Sequence, residues 1–145
     1  MSESDGVKAY VTRPGEGVRG DDAGLKASGR STGGALTLIE SHATGGAPRH
    51  VHSREDESFY VIEGTITVRC GDDEFEAGPR SFVFLPRGIP HAWDVVEHQE
   101  AVVLILTVPG GFDEFMREFH EAGSDAARVE VARKHGIEMF PSPGG

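Results

Sequence analysis

The 145-residue chain is predicted to be all-β, a sandwich or barrel of short strands with one or two α-helices at the C-terminal end. Three observations predict this. Gly and Pro together supply 28 residues, enough to punctuate many short elements with tight turns. Seven β-branched or aromatic runs follow one another from residue 36, each bounded by turn residues. After "VPGG" the apolar spacing switches from a strand's period to a helix's.

Taken in order, residues 1–35 are rich in Gly, charge and hydroxyls and read as an N-terminal arm with one or two edge strands, "KAYVT" being the only early strand candidate. Residues 36–108 hold the barrel core: "ALTLIE", "SFYVIE", "TITVRC", "FEA", "SFVFLP", "AWDVV" and "AVVLILTV", separated by "GG", "EG", "GDD", "AGP", "PRG" and "EHQE". Residues 109–145 form a helical segment. Phe112, Phe115, Met116 and Phe119 fall at i, i+3, i+4 and i+7, with Asp113 and Glu114 in the first turn where the helix dipole favours negative charge. This stripe is expected to pack against the barrel. A second helix is expected from Ser124, a good N-cap, to Lys134 and His135, stopped by Gly136. One domain spans 1–145 in this reading, since that length can bury a core unaided.

Bulk properties exclude some functions. Acidic residues outnumber basic ones 24 to 14, so a nucleic-acid backbone or an anionic membrane face would be repelled. The start "MSESDGVKAY" lacks the features of a secretory signal, and "AVVLILTV" is too short to span a bilayer. A soluble, cytoplasmic protein without nucleic-acid or membrane partners is expected. Cys70 stands alone and is read as a packed small residue, offering neither an internal disulfide nor a thiolate metal site.

Chemistry concentrates in "HVHSREDESFYVIEG", residues 50–64. Alternation in a strand sends His50 and His52 to the same face, roughly 6–7 Å apart. Two imidazoles can then converge on one ion, and a divalent metal of the Fe, Mn, Ni, Co or Zn kind accepts imidazole together with carboxylate. Glu55, Asp56 and Glu57 are the carboxylate candidates. Glu57 is chosen because it leads directly into the apolar run, where strand pairing fixes its direction. A fourth ligand comes from "PRGIPH", in which Pro86 and Gly88 shape a turn that delivers His91. The 39-residue gap from His52 to His91 suits an antiparallel barrel whose later strand returns beside the first. His42, His98, His120 and His135 lie outside the pattern, and only His42 is close enough in sequence to line the mouth of the site.

These segments resemble the two cupin motifs, H-x-H-x4-E-x6-G and P-x-G-x2-H, and all seven specified residues are present: His50, His52, Glu57, Gly64, Pro86, Gly88 and His91. The resemblance covers roughly residues 34–108 and, with the flanking "GGALTLIES" and "TVPGGFDEFMREF", points to small single-domain cupins of the quercetin-dioxygenase-like kind. It implies a double-stranded β-helix, or jelly-roll barrel, and a homodimer paired through strand edges. The chain departs from the family in three places. Arg80 and Ser81 stand where Gly-Asp is frequent, Val95 stands where Asn is frequent, and Gly45 precedes His50 by four residues instead of five.

Three neutral imidazoles and one carboxylate around a divalent ion leave open positions for an oxygen-bearing small molecule, whose hydroxyl pKa the ion would lower. The resemblance implies that Glu57 also accepts the substrate proton. Strand parity puts Phe59 and Val61 on the face of Glu57, and Trp93 and Val95 on that of His91, an apolar wall for a flat substrate. The expected activity is a dioxygenase acting on a flavonol-, enediol- or polyketide-like compound. Redox-neutral cyclisation, isomerisation or epimerisation at the same site is the alternative, with a non-catalytic small-molecule binder behind both. Because coordinating histidines must be neutral, metal affinity is expected to fall below about pH 6.5.

Overall fold

The computed structural model describes residues 7–20, 22–97 and 99–140. Its strands are β1 (Leu25–Ala27), β2 (Thr37–Ala43), β3 (Ala47–His52), β4 (Asp56–Glu63), β5 (Ile66–Cys70), β6 (Asp73–Ala77), β7 (Phe82–Leu85), β8 (His91–Val95), β9 (Ala101–Val108) and β10 (Ile137–Met139), with helices α1 (Phe112–Glu121) and α2 (Asp125–Lys134). The strands form two antiparallel five-stranded sheets, in the orders β1-β2-β9-β4-β7 and β10-β3-β8-β5-β6. Each of the seven expected runs lies in a strand. Together the sheets make the two walls of a jelly-roll barrel, as the resemblance implied.

Strict alternation builds the interior. In β9 every second residue from Ala101 to Thr107 is buried, and in β5 Ile66, Val68 and Cys70 point inward while Arg69 is exposed. Phe59, Val61, Val103 and Ile105 of the first sheet thereby meet Ile66, Val68 and Val95 of the second in one core cluster. Each such side chain contributes about 1.5–3 kcal/mol on full burial. Cys70 belongs to this cluster as a free thiol, and burial pushes its pKa up, which suits a packing role.

Both motif glycines sit where a side chain is disfavoured. Gly64 has φ +80°, and a Cβ there would collide with the Glu100 carbonyl; Gly88 has φ +84°. The Gly88 N–H donates to the His52 carbonyl at 2.8 Å, tying the second motif's turn to the first motif's strand. Arg80 is the one described non-glycine residue with positive φ, at +69°, so the position where the family often has Gly is left-handed here too.

The arm differs from its expectation. Lys8–Thr12 form no strand, and the early strand is β1 instead. The arm runs beside β1 through side chains: Thr12 Oγ1 donates to the Lys26 carbonyl, and Lys26 Nζ to those of Arg13 and Glu16. β10 was also unexpected; it extends the second sheet through β3 once the left-handed Gly136 ends the second helix. Ser124 caps that helix, its hydroxyl accepting from Ala127 N–H at 3.1 Å.

The apolar stripe of α1 packs on α2 and β10 in a second small cluster, Phe115 with Ala132 and Ile137, instead of on the main core. Asp113, expected to act through the helix dipole, is 4% exposed and does more. It accepts from Gly29 N–H, from Thr37 Oγ1 and from Arg19 Nη2, all at 2.9–3.0 Å, and so fastens α1 to the arm and to β2.

Candidate metal centre

Two strands of one sheet and one of the other bring four side chains together. His50 and His52 project from β3, His91 from β8 and Glu57 from β4 of the facing sheet. His50 and His91 are direct cross-strand partners, and Glu57 pairs with Leu85 and Thr107 on either side. One nitrogen or oxygen from each of the four lies within 4.8 Å of all the others, a group able to hold a metal ion. His52, Glu57 and His91 are buried, and His50 is partly so.

The donor atoms point at one another. His91 Nε2 donates to Glu57 Oε1 at 2.9 Å, His52 Nε2 lies 3.5 Å from the same oxygen, and His50 Nε2 lies 3.1 Å from His52 Nε2. Behind the cluster, His50 Nδ1–H donates to the Pro48 carbonyl at 2.7 Å and His52 Nδ1–H to Glu55 Oε1 at 2.6 Å. A carbonyl and a carboxylate only accept, so both rings carry their proton on Nδ1. With both rings neutral, as metal ligation requires, the two Nε2 lone pairs face each other with no proton to share. A cation placed among them relieves that contact, so the donor set fits a metal.

Protons compete poorly for the position. The pKa of His50 is lowered from 6.5 to about 4 by burial first and by neighbouring His91 second, the Pro48 hydrogen bond opposing the shift only in part. Its share of the expected acid loss of affinity therefore moves well below pH 6.5. Burial works against the charge on Glu57, but the hydrogen bond from His91 and the three surrounding imidazoles outweigh it and hold the carboxyl below the usual range. Neutral imidazole and ionised carboxylate are the forms that bind a divalent ion.

The other described histidines stay apart from the centre. His42 is exposed and pairs with Glu40 at 3.0 Å, His135 pairs with Glu118 at 2.7 Å, and His120 packs on the Phe119 ring. His98 lies outside the described residues. Phe59, Val61 and Val95, expected to wall a substrate, are buried in the core cluster, and the partly buried Trp93 packs on Phe59 with ring centroids 5.2 Å apart. Trp93 also borders a groove of about 670 Å³ shared with Arg49, Thr67, Arg69, Asp94 and Phe140. Two side chains at the centre went unremarked as neighbours in the sequence. Glu55, weighed only as a ligand, sits behind His52, and Phe112 of α1 packs on the His52 ring at 5.6 Å.

Two buried polar atoms have no partner among the described residues, His91 Nδ1 and Thr107 Oγ1, both on inward-facing positions around Glu57. Nothing outside the cluster therefore fixes the tautomer of His91, in contrast to His50 and His52. Among the described residues no helix is long and apolar enough to cross a membrane.

The chain is similar to several known proteins. The Cupin domain family model matches residues 37–108. Quercetin 2,3-dioxygenase of Bacillus subtilis is 31% identical over 119 residues, 78% of this chain, yet the match spans only 35% of that enzyme's length. Among solved structures, TT1209 from Thermus thermophilus is 28% identical with a TM-score of 0.47 over 52% of this chain and 74% of its own. KdgF from Halomonas sp. is 20% identical with a TM-score of 0.49 over 56% and 74%. The Streptomyces nucleoside dehydratase Pac13 is 12% identical with a TM-score of 0.49 over 56% and 65%. The matched span holds all four clustered residues and both motif turns, and the chain belongs to the cupin superfamily.

Proposed function

We propose that the chain is a metal-dependent cupin enzyme, a dioxygenase acting on a flavonol-, enediol- or polyketide-like small molecule. The observation that carries this reading is the pair of Nε2 atoms of His50 and His52, 3.1 Å apart and facing each other inside a largely buried group completed by Glu57 and His91. The identity to quercetin 2,3-dioxygenase supports the oxygenase class.

In this reading His50, His52, His91 and Glu57 hold one divalent ion of Fe, Mn, Ni, Co or Zn type. The ion supplies Lewis acidity that acidifies a substrate hydroxyl. Glu57, kept ionised by its three histidine neighbours, accepts the proton released there. Phe59 and Val61 share the face of Glu57 on β4 and Val95 lies two strand positions beyond Trp93 on β8, but all three are buried in the core. In this reading the partly buried Trp93 is therefore the aromatic side chain that a flat substrate meets.

Oxygen-electrode assays of metal-loaded protein with flavonols and enediols test the proposal. Stoichiometric oxygen uptake with substrate loss, abolished in Glu57→Gln, is expected. Conversion without oxygen uptake would assign redox-neutral chemistry instead, and ligand binding without turnover would make the chain a binding protein.

The resemblance implies a homodimer paired through strand edges; in this reading the two copies meet instead through the outer face of the first sheet. Tyr60, Ile62, Phe82, Phe84 and Val108 are 40–65% exposed on it. Tyr60 lies opposite Phe82 and Leu104, and Ser58 opposite Phe84 and Leu106, so the patch is continuous, with Glu40, Glu63 and the Asp56–Arg87 ion pair at its margins. At 150–250 Å² per full aromatic side chain its exposed area is on the order of 500 Å². That lies within the roughly 300–600 Å² of the largest apolar patch on a monomer, a patch that is often functional, and supplies over half of the roughly 800 Å² per partner of a stable interface. A second copy of the same largely apolar face meets it with less of the repulsion that a net charge of −10 would otherwise impose.

A further inference from the structure

We infer that Glu55 is a positioning residue of the metal centre, a buried carboxylate that sets the tautomer and donor strength of His52; this rests on the metal-site reading above. Glu55 is 8% exposed and His52 2%, and their 2.6 Å hydrogen bond is the shortest made by a histidine among the described residues. Glu55 is not among the four convergent donors. Its oxygen accepts the hydrogen bond from Nδ1–H, which in the neutral ring leaves the Nε2 lone pair aimed at Glu57 and His50. A carboxylate acceptor also draws the N–H proton towards itself, raising electron density on the opposite nitrogen.

The loop that carries Glu55 is held at both ends. Ser53 donates through its N–H and its hydroxyl to the Gly136 carbonyl at 2.9 and 2.8 Å, and Asp56 accepts from Arg87 N–H and from its guanidinium. Gly136 follows α2, and Arg87 belongs to the turn of the second motif. Two distant segments thus fix the short stretch between β3 and β4, so Glu55 meets His52 without having to be ordered when a metal arrives. The three histidines are graded as a result. His52 has a carboxylate behind it, His50 a neutral carbonyl, and His91 no partner on Nδ1.

Cobalt(II) titration of the metal-free full chain, followed by its visible d–d absorption, tests the assignment with wild type, Glu55→Gln and Glu55→Ala. Glu55→Ala is expected to bind Co²⁺ about 10–100-fold more weakly, with Glu55→Gln, which keeps an acceptor but not the charge, in between. Equal affinity for wild type and Glu55→Ala overturns the inference while leaving the metal centre intact. Failure of wild type to bind Co²⁺ overturns the metal reading and this inference with it. Should the alanine variant not fold, ¹⁵N spectra of the wild-type histidine side chains decide: a His52 protonated on Nδ1 is expected, and one protonated on Nε2 overturns the inference.

Discussion

Acid should weaken the metal-free protein through His50, by an amount the structure sets. In the unfolded chain this imidazole takes up a proton below its ordinary pKa of 6.5, whereas the folded protein refuses it until about pH 4. Between those values the unfolded state binds more protons, so His50 contributes stability that is complete above 6.5 and drains away as pH falls. At about 1.36 kcal/mol per unit, the drop from pH 7 to 4.5 amounts to about 2 kcal/mol. The lowered carboxyl of Glu57 adds a loss of the same sign, but below the ordinary carboxylate pKa of 4.5, outside that interval. Urea unfolding of chelator-treated protein at pH 7.0, 6.0, 5.0 and 4.5 isolates the effect when wild type is compared with His50→Gln. Wild type should lose about 2 kcal/mol more than the variant across the series. Parallel curves would refute the claim that burial beside His91 keeps His50 neutral.

Other consequences follow from single residues. Arg80 occupies a left-handed conformation that costs an L-residue about 1–2 kcal/mol, so Arg80→Gly should raise stability by about 1 kcal/mol in thermal or urea unfolding despite the added chain entropy. Asp113→Ala leaves Arg19, Thr37 and Gly29 without their shared buried acceptor and should cost about 2–4 kcal/mol, with amide exchange accelerating first in α1. Light scattering at micromolar concentration should give twice the 15.5 kDa chain mass, and Phe82→Glu with Phe84→Glu should return it to the monomer value; a wild-type monomer at every concentration would end the homodimer reading.

The centre was legible because its information is local. Alternation alone places His50 with His52 and Glu57 with Phe59 and Val61, and the turn residues Pro86 and Gly88 announce where His91 begins its strand. The strands that escaped notice carry weak patterns. β3 reads "APRHVH", with a proline and mostly exposed or half-buried positions, and β1 and β10 are three residues long and owe their existence to the neighbours they pair with. Asp113 looked like a helix-dipole residue since its partners lie 76 to 94 residues away, a distance over which sequence carries no pairing signal. Glu55 was within reach: a carboxylate three residues after a motif histidine can bond that ring as readily as a metal, and the distinction depends on which way the β3–β4 connection turns.

Whether four side chains hold one cation is tested most directly by anomalous diffraction from crystals of the protein loaded with Co²⁺ or Mn²⁺, recorded above the metal's absorption edge. A single strong peak at about 2.0–2.2 Å from the three Nε2 atoms and a Glu57 oxygen is expected, absent from His91→Ala crystals treated identically. No peak at that position, or one that persists undiminished without His91, would contradict the account.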